Sequence, residues 1–225
     1  MGVARVARAL IAACAFLALA SPLLGQEQAA QSIFWLEHPT GFLASTAIDN
    51  IARTELAGPY DGRSQYFGIE VDSQAGKVYT FVLVHNPLTA TSSPVVRQSN
   101  LDGSDSQIIF TYPVNPGRGI LKFEPSERKL YVFGPTGIDR MNPDGSGFEN
   151  IFSDPSQFIL QADIDHVNGA LIYLDFQSTN YKLLDFDGTN PRVLGATCPQ
   201  HQCFPAMAVD GVAGKIYYSR YHTPP

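Results

Sequence analysis

The sequence predicts an all-β fold assembled from copies of one sheet module: a β-propeller, with about five blade units in the 225 residues at hand. Three observations predict it. An aromatic in the second strand of each unit recurs at Phe34, Tyr79, Tyr131, Tyr173 and Tyr217, at spacings of 45, 52, 42 and 44 residues. A period in the forties with short strands in each unit marks a propeller blade. Ahead of four of these aromatics an apolar run closes on an acid, at Asp72, Glu124, Asp165 and Asp210. Behind three of them stands a turn: Asp102-Gly103, Asp144-Gly145 and Asp187-Gly188. Asp and Gly both tolerate the positive φ of a tight hairpin turn, and an apolar run follows each pair.

In chain order, Met1 to Ala20 carries Arg5 and Arg8, then an apolar run that ends in small residues. This is the pattern of a signal peptide (residues 1–20), too short to span a bilayer and the one segment expected to be helical. Residues 21–31 read as a polar tether and 32–225 as the propeller. Ser32 to Glu37 opens the first unit, and Asp49 to Leu56 is read as its third and fourth strands. Asn86 to Pro94, rich in Pro, Ser and Thr, predicts a surface loop in the second unit. Glu124 to Lys129 is a charged hairpin, and Pro135-Thr136-Gly137 a turn. The fourth unit is the clearest: Ala162 to Asp165, Leu171 to Asp175, Tyr181 to Phe186 and Arg192 to Leu194. The fifth runs from Phe204 to Tyr218. A closed ring needs on the order of 260 residues. The chain is therefore expected to be a fragment, the alternative being closure by a partner or second copy.

Lys77-Val78-Tyr79, Lys129-Leu130-Tyr131, Lys215-Ile216-Tyr217 and Leu101-Asp102-Gly103-Ser104 resemble the YWTD (class B) repeat of the low-density-lipoprotein receptor family. The similarity runs from about Ile33 to Tyr221. On this alignment Trp35, Thr80, Val132, Leu174 and Tyr218 take the Trp position. The final acid position holds Glu37, Val82, Gly134, Phe176 and Arg220, so the acid that ties neighbouring blades is nearly absent. The resemblance implies a six-bladed propeller that binds protein ligands outside the cell.

The net charge of -6 argues against nucleic acid or an anionic membrane as a partner. Past the signal segment two cysteines remain, Cys198 and Cys203, and an oxidising compartment favours a disulfide across their short loop. The recurrent acids are read as turn caps that accept backbone N–H bonds, since a catalytic site would draw unlike residues from different blades. A Ca²⁺ ion at these acids is the weaker alternative, and no cofactor or catalytic residue is assigned. His85 and His166 are expected to face solvent, and Trp35 to be core. Two functions follow. The first is a secreted, non-catalytic module that binds an extracellular protein. The second is a metal-dependent propeller hydrolase similar to sugar-lactone lactonases and strictosidine-synthase-like proteins, with Glu70, Asn168 and Asp210 as metal ligands.

Overall fold

Alternating apolar residues between Gly- and Asp-rich turns produce antiparallel meanders throughout. The computed structural model describes residues 18–19, 32–37, 42–47, 50–57, 65–86, 88–89, 91–113, 117, 119–197 and 203–220, and none of these is helical. They fall into two compact units, Met1–Asn115 and Pro116–Pro225.

The first unit holds two four-stranded sheets. Sheet one is β1 (Ala18–Leu19), β2 (Ser32–Glu37), β3 (Phe42–Ala47) and β4 (Asn50–Ala57), and sheet two is β5 (Gln65–Asp72), β6 (Lys77–Asn86), β7 (Thr91–Asn100) and β8 (Gln107–Thr111). Phe34, Leu43, Ile69 and Val78 form a buried cluster between them. The second unit holds sheet three, of β9 (Ile120–Glu124), β10 (Lys129–Gly134), β11 (Gly137–Met141) and β12 (Glu149–Ser153). Sheet four is β13 (Ile159–Asp165), β14 (Ala170–Asp175), β15 (Asn180–Asp185) and β16 (Arg192–Thr197), and sheet five is the pair β17 (Cys203–Asp210) and β18 (Lys215–Arg220). In this unit β13 lies beside both β9 and β17, so the first strands of successive sheets are neighbours. Tyr131, Phe133 and Ile138 of sheet three pack on Ile164, Leu171 and Tyr173 of sheet four.

Several expectations need correcting. The third strand of sheet one is Phe42–Ala47, ahead of Asp49, and Asn50–Ala57 is the fourth. Its sequence Phe-Leu-Ala-Ser-Thr-Ala alternates too weakly to stand out. Asn86 to Pro94 is not a loop. The ladder continues through Leu83↔Pro94 to Asn86↔Thr91, so β6 and β7 form a long hairpin paired as far as Asn86 and Thr91. Pro94 has no N–H to give the ladder, but its carbonyl accepts the Tyr112 N–H at 3.0 Å. Ala18–Leu19, read as the end of a signal segment, is extended and pairs with Ile33 and Phe34. The remainder of residues 1–31 lies outside the described residues, as do Cys198 and the side chains of Cys203 and Trp35.

The register moves the fourth marker by one. Each first strand ends on an acid paired with the residue that opens the second strand: Asp72↔Lys77, Glu124↔Lys129, Asp165↔Ala170 and Asp210↔Lys215. Two residues on stand Tyr79, Tyr131, Ile172 and Tyr217. Tyr173 is therefore the next position, on the opposite face of β14. A one-residue offset exchanges faces, and it is invisible in composition here because all six residues of β14 are buried. Tyr217 is corrected more plainly. Phe34, Tyr79, Tyr131 and Tyr173 are at most 2% exposed, whereas Tyr217 is 55% exposed because nothing described covers its face of sheet five.

Candidate functional site

Within each four-stranded sheet the turn joining first and second strands and the turn joining third and fourth lie at the same end. The turns joining third and fourth strands repeat one design. In sheet two, Asn100 N donates to Ser104 O and Gly103 N to Asn100 O, and the same bonds recur at Asn142–Ser146 and Asp185–Thr189. Asp102 Oδ1 accepts from Ser104 N (2.9 Å) and Oγ (2.6 Å). Asp144 does so with Ser146, and Asp187 with Thr189. Those bonds, from side chain first and backbone second, hold all three carboxyls below the usual range. Gly103, Gly145 and Gly188 take φ of 83°, 83° and 81°. A Cβ on Gly103 would overlap Leu56 O of β4, and one on Gly188 would overlap Ile151 O of β12. Glycine is thus required twice over: by conformation, and by the backbone of the preceding sheet.

The four-residue hairpins joining first and second strands carry the recurrent acids. Asp72 Oδ1 accepts Ala75 N (3.0 Å), and Asp210 Oδ1 accepts Ala213 N (2.9 Å). Asp165 takes Val167 N, Asn168 N and Asn168 Nδ2. Burial pushes the Asp165 carboxyl up, but the bonds from Asn168 and Val167 outweigh it and leave the group below its ordinary value. Glu124, one methylene longer, does two things. Its Oε1 accepts Ser126 N and Oγ within its own hairpin. Its Oε2 reaches His166 Nδ1 on the hairpin of sheet four. Glu124 is fully buried, while the His166 side chain is 51% exposed. His166 therefore faces solvent, as expected, and its Nδ1 also meets the buried carboxylate of the neighbouring sheet. His85 Nδ1 lies 3.3 Å from Ser92 Oγ in the long hairpin.

One residue that sequence reasoning passed over joins three sheets. Asp163 of β13 bonds Lys122 Nζ of β9 at 2.9 Å and accepts Val209 N of β17 at 2.8 Å. Its partners lie about forty residues away on either side, so no local pattern reveals it; the one available signal is an acid in mid-strand, between Ala162 and Ile164. Asp163→Ala should destabilise the protein by about 2 kcal/mol. Lys122→Met should cost less, since it leaves the Val209 bond intact; equal losses in urea unfolding would refute the bridging role.

Of the residues considered for a metal, Asn168 Nδ2 donates to Asp165 Oδ2 (2.8 Å) and Gly211 O (3.4 Å), and Asp210 is engaged by Ala213 N. Glu70 lies half-buried in β5 of the other unit. Among the described residues, no group of three or more His, Cys, Asp and Glu side chains is arranged to hold a metal ion.

Among its polar turns this end also exposes two apolar side chains. Val167 is 60% exposed and Val212 87%, at the tips of the adjacent hairpins of sheets four and five. The hairpins touch: a Cβ on Gly211 would stand 3.0 Å from Val167 Cβ.

No protein-family model matches the chain, and no curated protein matches it. Solved structures do. The chain is similar to a chain of the nidogen/laminin complex, with TM-score 0.57, 17% identity, and coverage of 75% of this chain and 59% of that one. It is similar to YCF48 bound to D1 peptide, with TM-score 0.58, 10% identity, and coverage of 84% and 57%. An oligogalacturonate lyase in complex with manganese gives 0.53, 14%, and 72% and 50%. These are propeller structures. The chain is a β-propeller. It spans between half and three-fifths of the length of these structures. A propeller explains the contact of the Gly103 and Gly188 turns with the outer strand of the sheet before each. Among the described residues no helix is long and apolar enough to cross a membrane.

Proposed function

We propose that the chain is a secreted, non-catalytic binding module, a YWTD-like propeller whose turn-bearing end recognises a protein ligand. The observation that carries this reading is the apolar pair Val167 and Val212, exposed on touching hairpins of successive sheets. Contiguous exposed apolar side chains on a rigid scaffold suit a protein surface. The acids beneath them are engaged in their own turns or with His166, which gives them a structural role. Two of the similar structures are the nidogen/laminin complex and YCF48 bound to D1 peptide.

The observed register strengthens the YWTD resemblance. Aligned on the residue two beyond the hairpin, the fourth tetrad reads Ile172-Tyr173-Leu174-Asp175, so the final acid falls on Asp175 rather than on Phe176. Asp175 is 2% exposed and accepts Phe158 N, Gln177 N, Ser178 Oγ and Lys182 Nζ. The signal segment and the disulfide between Cys198 and Cys203 belong to the same proposal.

Capture on the immobilised chain tests the reading. Wild type should retain a protein from the source organism's secretome that the Val167→Glu/Val212→Glu variant releases. Equal retention by both would move the site elsewhere. Stoichiometric Ca²⁺ or Zn²⁺ with lactone turnover would replace the proposal with the hydrolase.

A further inference from the structure

One asparagine stands apart by the residue that follows it. Four of the nine asparagines precede proline, four precede Ile, Leu or Tyr, and Asn168 precedes glycine. A side-chain carboxamide is lost when the backbone nitrogen of the next residue attacks it. Proline has no N–H to give up, and a bulky or branched side chain crowds the approach. Gly169 does neither. A Cβ there would meet Phe186 Cε2 at 3.9 Å and nothing nearer, so its nitrogen is open to approach. Asn168 itself is exposed.

The turns at Asp102-Gly103, Asp144-Gly145 and Asp187-Gly188 are spared the same reaction. Bonds from Ser104, Ser146 and Thr189 hold their carboxyls below the usual range, and an ionised carboxylate is a poor electrophile. The Asn168 carboxamide has no charge to shield it. What restrains it is Asp165. Asn168 Nδ2 donates to Asp165 Oδ2 at 2.8 Å, and Gly169 N donates to Asp165 O at 3.0 Å. The same Nδ2 reaches Gly211 O of the next hairpin at 3.4 Å. The carboxamide is thus both the reactive group and a tie between sheets four and five.

We propose that Asn168 is a site of spontaneous deamidation, and that its conversion loosens the hairpin of sheet four against that of sheet five. Gly169 N, its proton passed to solvent, bonds to Asn168 Cγ; the Cγ–Nδ2 bond breaks and ammonia leaves. Water then opens the succinimide at either carbonyl, which gives aspartate or isoaspartate at position 168. Water is consumed and ammonia released in equal number. In both products a donor has become a carboxylate facing the Asp165 carboxylate and Gly211 O, so attraction turns to repulsion. The isoaspartate also lengthens the hairpin backbone by a methylene. None of this depends on what the neighbouring valines bind.

Peptide mapping by mass spectrometry tests it. The folded chain, incubated in neutral buffer, should gain aspartate and isoaspartate at position 168 and at no other asparagine. Asp165→Asn keeps an acceptor for the Val167 and Asn168 N–H groups but removes the carboxylate that holds Nδ2, and should convert about fivefold faster. Asn168→Asp reproduces the ordinary aspartate product. In that variant hydrogen exchange at the Val167 and Asn168 amides, which Asp165 Oδ1 accepts, should quicken about fivefold relative to the Ala75 amide of sheet two. Three results would each overturn the proposal: Asn168 intact in the folded chain when the urea-unfolded chain has converted completely, no acceleration in Asp165→Asn, or unaltered exchange in Asn168→Asp.

Discussion

Gly188→Ala is expected to lower stability by about 3–4 kcal/mol, among the largest effects of any single methyl addition in the chain. Left-handed backbone costs a non-glycine residue about 1–2 kcal/mol. The remainder comes from overlap: the new Cβ would press on Ile151 O, a backbone atom of β12 that cannot rotate aside, and overpacking of this kind costs about 1–3 kcal/mol. Gly214→Ala isolates the first contribution. Gly214 takes a φ of 61° with nothing within 4 Å of a Cβ, so its substitution should cost about 1 kcal/mol. Urea midpoints of the two variants measure the difference. If they lose equal stability, the close approach between sheets three and four contributes nothing, and the Asp-Gly turns are hairpin devices alone.

Asp175→Ala should cost about 3 kcal/mol. Its carboxylate is buried and holds four donors, two backbone N–H groups, the Ser178 hydroxyl and the Lys182 ammonium. Removing it strands Lys182 and Phe158 N together. The pH dependence has a definite sign. Burial raises the Asp175 carboxyl, but the bonds from Ser178, Lys182, Phe158 and Gln177 lower it further, to a value below its ordinary one. A group depressed on folding contributes stability above its unfolded pKa of about 4 and loses it as pH falls through the lower folded value. The stability gap between wild type and Asp175→Asn should therefore be constant from about pH 7 to pH 5 and shrink toward pH 3. A gap that persists undiminished at pH 3 would mean the carboxylate's charge is not what the site uses.

Much of this architecture was legible in the amino-acid order, for a physical reason. Strand alternation, Asp-Gly turns and an acid closing each first strand are short-range signals, expressed within a few residues. Asp102, Asp144 and Asp187 could be placed because each carboxylate serves its own turn. Register was harder. In β14 both faces are buried, so Ile172 and Tyr173 offer equally apolar choices and only the ladder decides between them. The interlocks between sheets were not legible at all. Glu124 meets His166 across 42 residues, and Asp163 meets Val209 across 46. Nothing near His166 in sequence tells that a buried carboxylate waits beside it. Pro94 misled in the opposite direction: turn-like composition suggested a break where the ladder runs on.

Ala18 and Leu19 have two claims on them. They pair with β2 as the first strand of sheet one, and they are the last residues but one of the stretch that reads as a leader. Proteolysis after Ala20 would carry that strand away with the discarded peptide. Export and completion of the first sheet would then be rival fates for one dipeptide, and the processed form would display β2 as a bare margin.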